Sequence, residues 1–272
     1  MNLFDLSNQV AIVTGSTKGI GLGIARQLAE HGARVVISSR KQAECDHVAK
    51  ELNAAFGKHV ALGISSDMAD VPSLERLVKQ TVEAFGRLDT LVCNAAKLDV
   101  AGSEAQTSPD DFAEVLVVNV RNTFLLAQQA LPHLQKRGGS VILLLSNAVT
   151  GPTFVAAAYA ISKRALVQLM ENLAIEWSPY KIRVNSIAPG LVRSEASRML
   201  WEDPKVLSAM EESIPLGRIG EPEDIGACAV YLAARASAHV TGQSILVDGG
   251  GTLIGPGEGQ RMRDVFKTLI PG

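Results

Sequence analysis

Aromatic residues make up only 4% of this 272-residue chain, and cysteine occurs three times, at Cys45, Cys93 and Cys228. Three scattered thiols cannot form a disulfide framework or a C-x-x-C metal clip, so a reducing compartment is expected. Excess charge of one sign is also missing: 26 Lys and Arg against 28 Asp and Glu leave a net charge of -2. That balance gives no field to draw in nucleic acid or an anionic membrane surface, and neither partner is expected. No run approaches the roughly 18 apolar residues of a membrane span, and the opening MNLFDLSNQ has neither a basic n-region nor an apolar h-region. The final LIPG matches no peroxisomal or lumenal address, so a cytoplasmic location is expected. His31, His47, His59, His133 and His239 show no H-E-x-x-H spacing, and no metal is expected. A serine nucleophile elbow at Ser65 fails because Asp67 stands where G-x-S-x-G needs its second glycine.

What is present is a globular composition, 47% hydrophobic and 20% charged. The length allows two domains, but α/β chains of about 250 residues often fold as one, and a single domain over 1–272 is expected. Short β-branched runs recur at Gln9–Thr14, Arg34–Ser38, His59–Ile64, Thr90–Cys93, Ser140–Leu145, Arg183–Ala188 and Ser244–Val247. Helical spacing fills the gaps: Ile20–Glu30, Gln42–Phe56, Pro72–Phe85, Pro109–Lys136 with a break, Ala156–Trp177 and Glu223–Ala234. Strand and helix in alternation predict an α/β fold, a single Rossmann-type doubly wound parallel sheet of about seven strands with helices on both faces. Such sheets bind ligands at the carboxyl ends of their strands, so chemistry is sought there. The glycine-dense stretch Gly249–Gly259 reads as a loop leading into a tail over 251–272.

Directly after the first strand stands TGSTKGIG, whose Gly15, Gly19 and Gly21 open a helix. Free N–H groups and the positive dipole end at such a turn receive a pyrophosphate. The spacing is G-x-x-x-G-x-G, one residue longer than the G-x-G-x-x-G fingerprint. After the second strand, where many dinucleotide sites carry a carboxylate for the ribose 2′-hydroxyl, the chain reads SSRKQ. Ser39, Arg40 and Lys41, with Lys18 from the glycine turn, suit a 2′-phosphate instead and favour NADP(H), with NAD(H) as the alternative. After the fifth strand come Ser146, Tyr159 and Lys163; the last two, four residues apart, share a helix face. An ammonium beside a phenol lowers its pKa from about 10 toward the range of a general acid/base. Cys93 beside Asn94 reads as a reactive thiol or as a buried small hydrophobe.

Together these motifs resemble the short-chain dehydrogenase/reductase family, over nearly the whole chain and in the family's order: TGSTKGIG, Asp67, Asn94-Ala95-Ala96, Asn119, the Ser146, Tyr159 and Lys163 set, and APGLV at Ala188–Val192. The stretches SRMLWED and GRIGEPED are similar to the NADP(H)-dependent carbonyl and retinal reductases within it. The resemblance implies a catalytic set of Ser146, Tyr159, Lys163 and Asn119. Tyr159 exchanges the proton, Ser146 positions the substrate oxygen, Lys163 also binds the nicotinamide ribose, and Asn119 anchors a water leading to solvent. It implies cofactor contacts from Gly15, Ser16, Lys18, Gly19, Ile20 and Gly21, from Asp67 and Met68, from Asn94, Ala95 and Ala96, and from Pro189, Gly190, Val192 and Ser194. Three positions depart from the pattern: Ala96 followed by Lys97 in place of N-A-G, Leu145 before Ser146, and Ser194 where threonine is usual.

The implied activity is hydride transfer between NADP(H) and a carbonyl/alcohol substrate. The alternatives are an NAD-dependent alcohol dehydrogenase and a catalytically silent nucleotide-binding regulator. Residues 191–214, with Met199, Leu200 and Trp201, read as a substrate lid whose apolar lining suits a hydrophobic ketone or aldehyde. The segment Ala165–Trp177 is apolar nearly all round, which calls for a second burial partner. With the resemblance, this predicts a homotetramer.

Overall fold

The computed structural model describes residues 2–98, 105–153, 157–254 and 258–269. Seven strands form one parallel sheet: β1 (Val10–Thr14), β2 (Arg34–Ser38), β3 (Ala61–Gly63), β4 (Thr90–Cys93), β5 (Gly139–Leu144), β6 (Ile182–Pro189) and β7 (Ser244–Val247). Their order is β3-β2-β1-β4-β5-β6-β7, which reverses direction between β1 and β4 and opens a crevice at their carboxyl ends. The helices are α1 (Gly19–Glu30), α2 (Gln42–Phe56), α3 (Val71–Phe85), α4 (Pro109–Leu116), α5 (Asn122–Leu134), α6 (Ala157–Glu176), α7 (Pro204–Glu212), α8 (Pro222–Ala233) and α9 (Glu258–Leu269).

The period of two along each strand divides the core into two layers. Ile12 and Val36 point to one face, where Leu74 and Leu77 of α3, Leu126 of α5 and Leu166 of α6 cover them. Val13, Val35 and Ile37 point to the other, against Ile24 and Leu28 of α1, Val48 of α2 and Ile225 of α8. Both faces are dry, which is why these strands read as continuous apolar runs.

The third strand is shorter than expected, and three other segments gain detail. The third strand is Ala61–Gly63 rather than His59–Ile64. His59 takes a left-handed φ of 67° that no strand can hold, and the Asn53 side chain grips both backbone groups of Ala61 at 2.8 and 2.9 Å. The tail carries a helix, α9, which docks through Arg263 onto the carbonyl oxygen of Ile214; residues 255–257 and 270–272 of that tail, like residues 154–156 before α6, lie outside the described residues. In α6, Met170 and Leu173 are 1% and 3% exposed and belong to the chain's own core. The unpartnered outer face consists instead of Ile161, Ala165 and Ile175, the last 76% exposed. The segment 191–214 folds as a 3-10 run, Glu195–Leu200, followed by α7.

The break expected within 109–136 is a π turn, Val117–Arg121, between α4 and α5. It places Asn119, almost fully buried, beneath the crevice.

Candidate active site

A cleft of about 790 Å³ follows the carboxyl ends of β1, β2, β4 and β5. Thr14 fastens the two strands at its centre: its Oγ1 accepts the Asn94 and Ala95 N–H groups at 3.0 Å each. Asn94 adds donation to the Thr14 and Gly15 carbonyls at 2.8 and 3.1 Å, which fixes the glycine turn from behind. Gly15 and Gly19 hold positive φ of 63° and 56°, and a Cβ on Gly21 would lie 2.3 Å from the Gly15 oxygen. No side chain caps the start of α1, and its first-turn N–H groups open toward the cleft.

One end of the cleft is bordered by Lys18, Ser38, Ser39, Arg40, Lys41, Glu44, Asp67 and Met68. Ser38 Oγ is buried without a hydrogen-bond partner among the described residues. An unmatched buried hydroxyl on a cleft wall beside three cations fits a ligand with polar, anionic atoms, as a dinucleotide has. Glu44 bonds Lys41 at 2.8 Å. This bond holds its carboxyl below the usual range, helped by the nearby charges of Lys41, Lys18 and Arg40.

Tyr159 and Lys163 border the opposite end. Lys163 is buried, its Nζ donates to the Leu144 carbonyl at 2.6 Å, and it lies 5.4 Å from the centre of the Tyr159 ring. Burial lowers its pKa from 10.5 to about 8, opposed by the nearby Cys93 thiol. The same burial pushes Cys93 up to about 12, an inert thiol. For Tyr159 burial raises the pKa, and a hydrogen bond with Ser146 pulls it back in part. Lys163, whose ammonium donates to Leu144, adds no lowering to that of Ser146. Ser146 also caps the 3-10 turn Asn147–Val149 by accepting the Ala148 N–H at 3.2 Å.

Asn119 spends its side chain on the protein. Its Oδ1 accepts from the Lys97 N–H at 2.7 Å, and its Nδ2 donates to the Lys97 carbonyl at 2.9 Å and to Ser162 Oγ at 3.0 Å.

Among the expected cofactor contacts, Gly15, Lys18, Gly19, Ile20, Gly21, Ser39, Arg40, Lys41, Asp67, Met68, Asn94, Ala95, Ala96, Pro189 and Ser194 border the cleft. Ser16 does not. It is wholly buried, donates to the Val13 carbonyl at 2.6 Å and accepts the Ser38 N–H at 2.9 Å, stapling β1 to β2. Gly190 packs against Asp248, where a Cβ would stand 2.7 Å from that side chain, and Val192 is buried in a bridge to Gly220. Nor do the apolar lid residues reach the cleft: Met199 is 69% exposed, while Trp201 donates to the Ser194 carbonyl at 2.9 Å with Arg193 over its ring. This segment gives Ser194, Glu195 and Ala196 to the cleft wall. Sequence reading missed Thr17, Ser38, Glu44, Ser66 and Glu114 on the cleft wall. Thr17 and Ser38 abut motifs already singled out, whereas Glu114 arrives from α4 with no local signal.

The sheet order, the glycine turn and the long cleft are those of a nucleotide-binding α/β enzyme. A family model described as enoyl-(acyl carrier protein) reductase matches residues 15–252. Dehydrogenase/reductase SDR family member 4 of Homo sapiens is 39% identical over 246 residues, 90% of this chain and 88% of that protein. The mitochondrial family member 2 of Homo sapiens is 39% identical over 244 residues, 90% and 86% of the two chains. Among solved structures, the Pseudomonas aeruginosa RhlG/NADP active-site complex superposes with a TM-score of 0.85 at 37% identity, covering 92% of this chain and 99% of that one. A gluconate 5-dehydrogenase from Burkholderia cenocepacia J2315 in complex with NADP and tartrate gives 0.87 at 31% identity, covering 93% and 98%. The chain belongs to the short-chain dehydrogenase/reductase family, and it is an oxidoreductase. No helix among the described residues is long and apolar enough to cross a membrane.

Proposed function

We propose that the protein catalyses reversible, NADP(H)-dependent reduction of a carbonyl compound, with Tyr159 as the general acid/base. The observation that carries this reading is that one cleft is bordered by Tyr159 and Lys163 and also by Lys18, Arg40, Lys41 and a buried Ser38 hydroxyl that has no hydrogen-bond partner among the described residues. When bound, the nicotinamide supplies or accepts the hydride. Arg40, assisted by Lys18, holds the 2′-phosphate; Ser38 and Ser39 add hydroxyls, and the uncapped start of α1 receives the pyrophosphate. The two NADP-bound relatives support this preference over NAD(H).

At the reacting end, Tyr159 gives its proton to the substrate oxygen as negative charge develops there, and takes it back in the oxidative direction. Ser146, near enough to the tyrosine to lower its pKa, holds that oxygen in place. Lys163, held to the Leu144 carbonyl 5.4 Å from the tyrosine ring, lies where it would bind the nicotinamide ribose. Asn119 acts through position, tying the residue after the Asn94-Ala95-Ala96 turn to the helix that carries Tyr159. The exposed Ile161 and Ile175 on the outer face of α6 support assembly into a homotetramer.

Tyr159→Phe keeps the ring and removes the proton. Turnover should fall at least about 100-fold, as for a lost general acid/base, with NADPH binding retained in a fluorescence titration. Near-normal turnover overturns the assignment.

A further inference from the structure

Lys97 is the residue that neither the fold nor the hydride-transfer chemistry accounts for. Its backbone is gripped on both sides by Asn119, whose remaining amide hydrogen goes to Ser162 Oγ at 3.0 Å. Ser162 sits between Tyr159 and Lys163 on α6 and donates to the Tyr159 carbonyl at 2.6 Å. The root of Lys97 is therefore locked to the helix that bears the reacting tyrosine, and both residues border the same cleft. Of the cleft's other cations, Lys18, Arg40 and Lys41 belong to the phosphate end, and Lys163 is spent on the Leu144 carbonyl. Among the described residues of the cleft, Lys97 is the cation left for the substrate end.

Its ammonium is paired with Glu114 of α4, and the side chains are 33% and 55% exposed. An ion pair this open to water stabilises little and exchanges readily for another anion. The lysine is the rooted and more sheltered partner; the glutamate is the outer one, placed to keep a flexible ammonium aimed until a ligand displaces it.

We propose that Lys97 is the substrate-anchoring cation of this site and that the substrate class is a carbonyl compound bearing a carboxylate, a keto acid or its hydroxy-acid partner. The carboxylate exchanges with Glu114 for the Lys97 ammonium, which leaves the carbonyl oxygen free to meet Tyr159 and Ser146. This inference rests on the hydride-transfer reading above for its reaction but not for its binding step.

The test pairs 2-oxo-4-phenylbutanoate with its neutral ethyl ester, comparing kcat/KM with NADPH, and adds calorimetric binding of 4-phenylbutanoate and 4-phenylbutanamide, neither of which can be reduced. Lys97→Met should lower the acid-to-ester ratio of kcat/KM roughly 10- to 100-fold, mainly through KM, the range of a charge-assisted hydrogen bond. Glu114→Gln should raise that ratio, and Lys97→Arg should restore most of it. In binding, the wild type should prefer the carboxylate over the amide, and Lys97→Met should erase that preference. An unchanged ratio, a parallel fall for both substrates, or equal binding of carboxylate and amide to the wild type overturns the proposal. Should the wild type reduce neither compound, the reaction reading fails and the binding comparison alone decides for or against Lys97.

Discussion

Replacing Lys163 with methionine should make the protein more stable at neutral pH while making it inactive. The side chain keeps its length and loses its charge. Lowering the lysine pKa from 10.5 to about 8 by burial corresponds to about 3 kcal/mol, at about 1.4 kcal/mol per pH unit, of cost for holding the ammonium in the folded state. Against this, Lys163→Met leaves the Leu144 carbonyl without its 2.6 Å partner, a loss of about 1–3 kcal/mol. The net at pH 7 is a gain of about 0–2 kcal/mol.

The pH dependence separates the two contributions, because only the first titrates. Between pH about 8 and 10.5 the unfolded lysine holds more proton than the folded one, so wild-type stability gains from rising pH across that window relative to a variant without the group. The advantage of Lys163→Met should therefore be full below pH 8 and shrink by about 3 kcal/mol by pH 10.5. Urea unfolding of both proteins at several pH values, compared as differences so that other groups cancel, measures this. A difference that stays constant with pH would refute the reasoning, since the lysine would then carry no burial cost.

Arg40→Asp sets a carboxylate against the 2′-phosphate; the NADPH-to-NADH ratio of kcat/KM should fall at least about tenfold, and an unmoved ratio would place the phosphate elsewhere. Gly21→Ala would press a Cβ to 2.3 Å from the Gly15 oxygen and 2.5 Å from Asn94 Nδ2, so thermal unfolding should show a loss of about 1–3 kcal/mol together with weakened NADPH binding. Changing both Ile161 and Ile175 to Glu should dissociate the assembly in light scattering with the fold retained by circular dichroism; a monomeric wild type at concentrations where it is active would exclude the proposed tetramer.

The family, the parallel sheet and the Tyr159, Lys163 and Arg40 positions could be read from the chain because each depends on local pattern. Buried parallel strands must be apolar on both faces, a phosphate turn needs glycine at fixed steps, and two helical residues four apart must share a face. Where a residue spends its hydrogen bonds is not local. Ser16 belongs to the same turn as its cleft-lining neighbours, yet its hydroxyl is consumed between β1 and β2. Asn119 carries no sign in its own segment that it will grip Lys97, and Lys97 none that Glu114 will arrive beside it from α4. The apolar face of α6 shows in the sequence as an excess, but which residues face the sheet and which face outward depends on how the helix rotates against β5 and β6. Burial decides the same question for charge: a Tyr and a Lys four apart suggest mutual lowering of the phenol, while desolvation, a property of everything packed around them, raises it instead. Sequence determines what a segment offers within reach of its own backbone; packing decides which partner, often distant along the chain, takes up the offer.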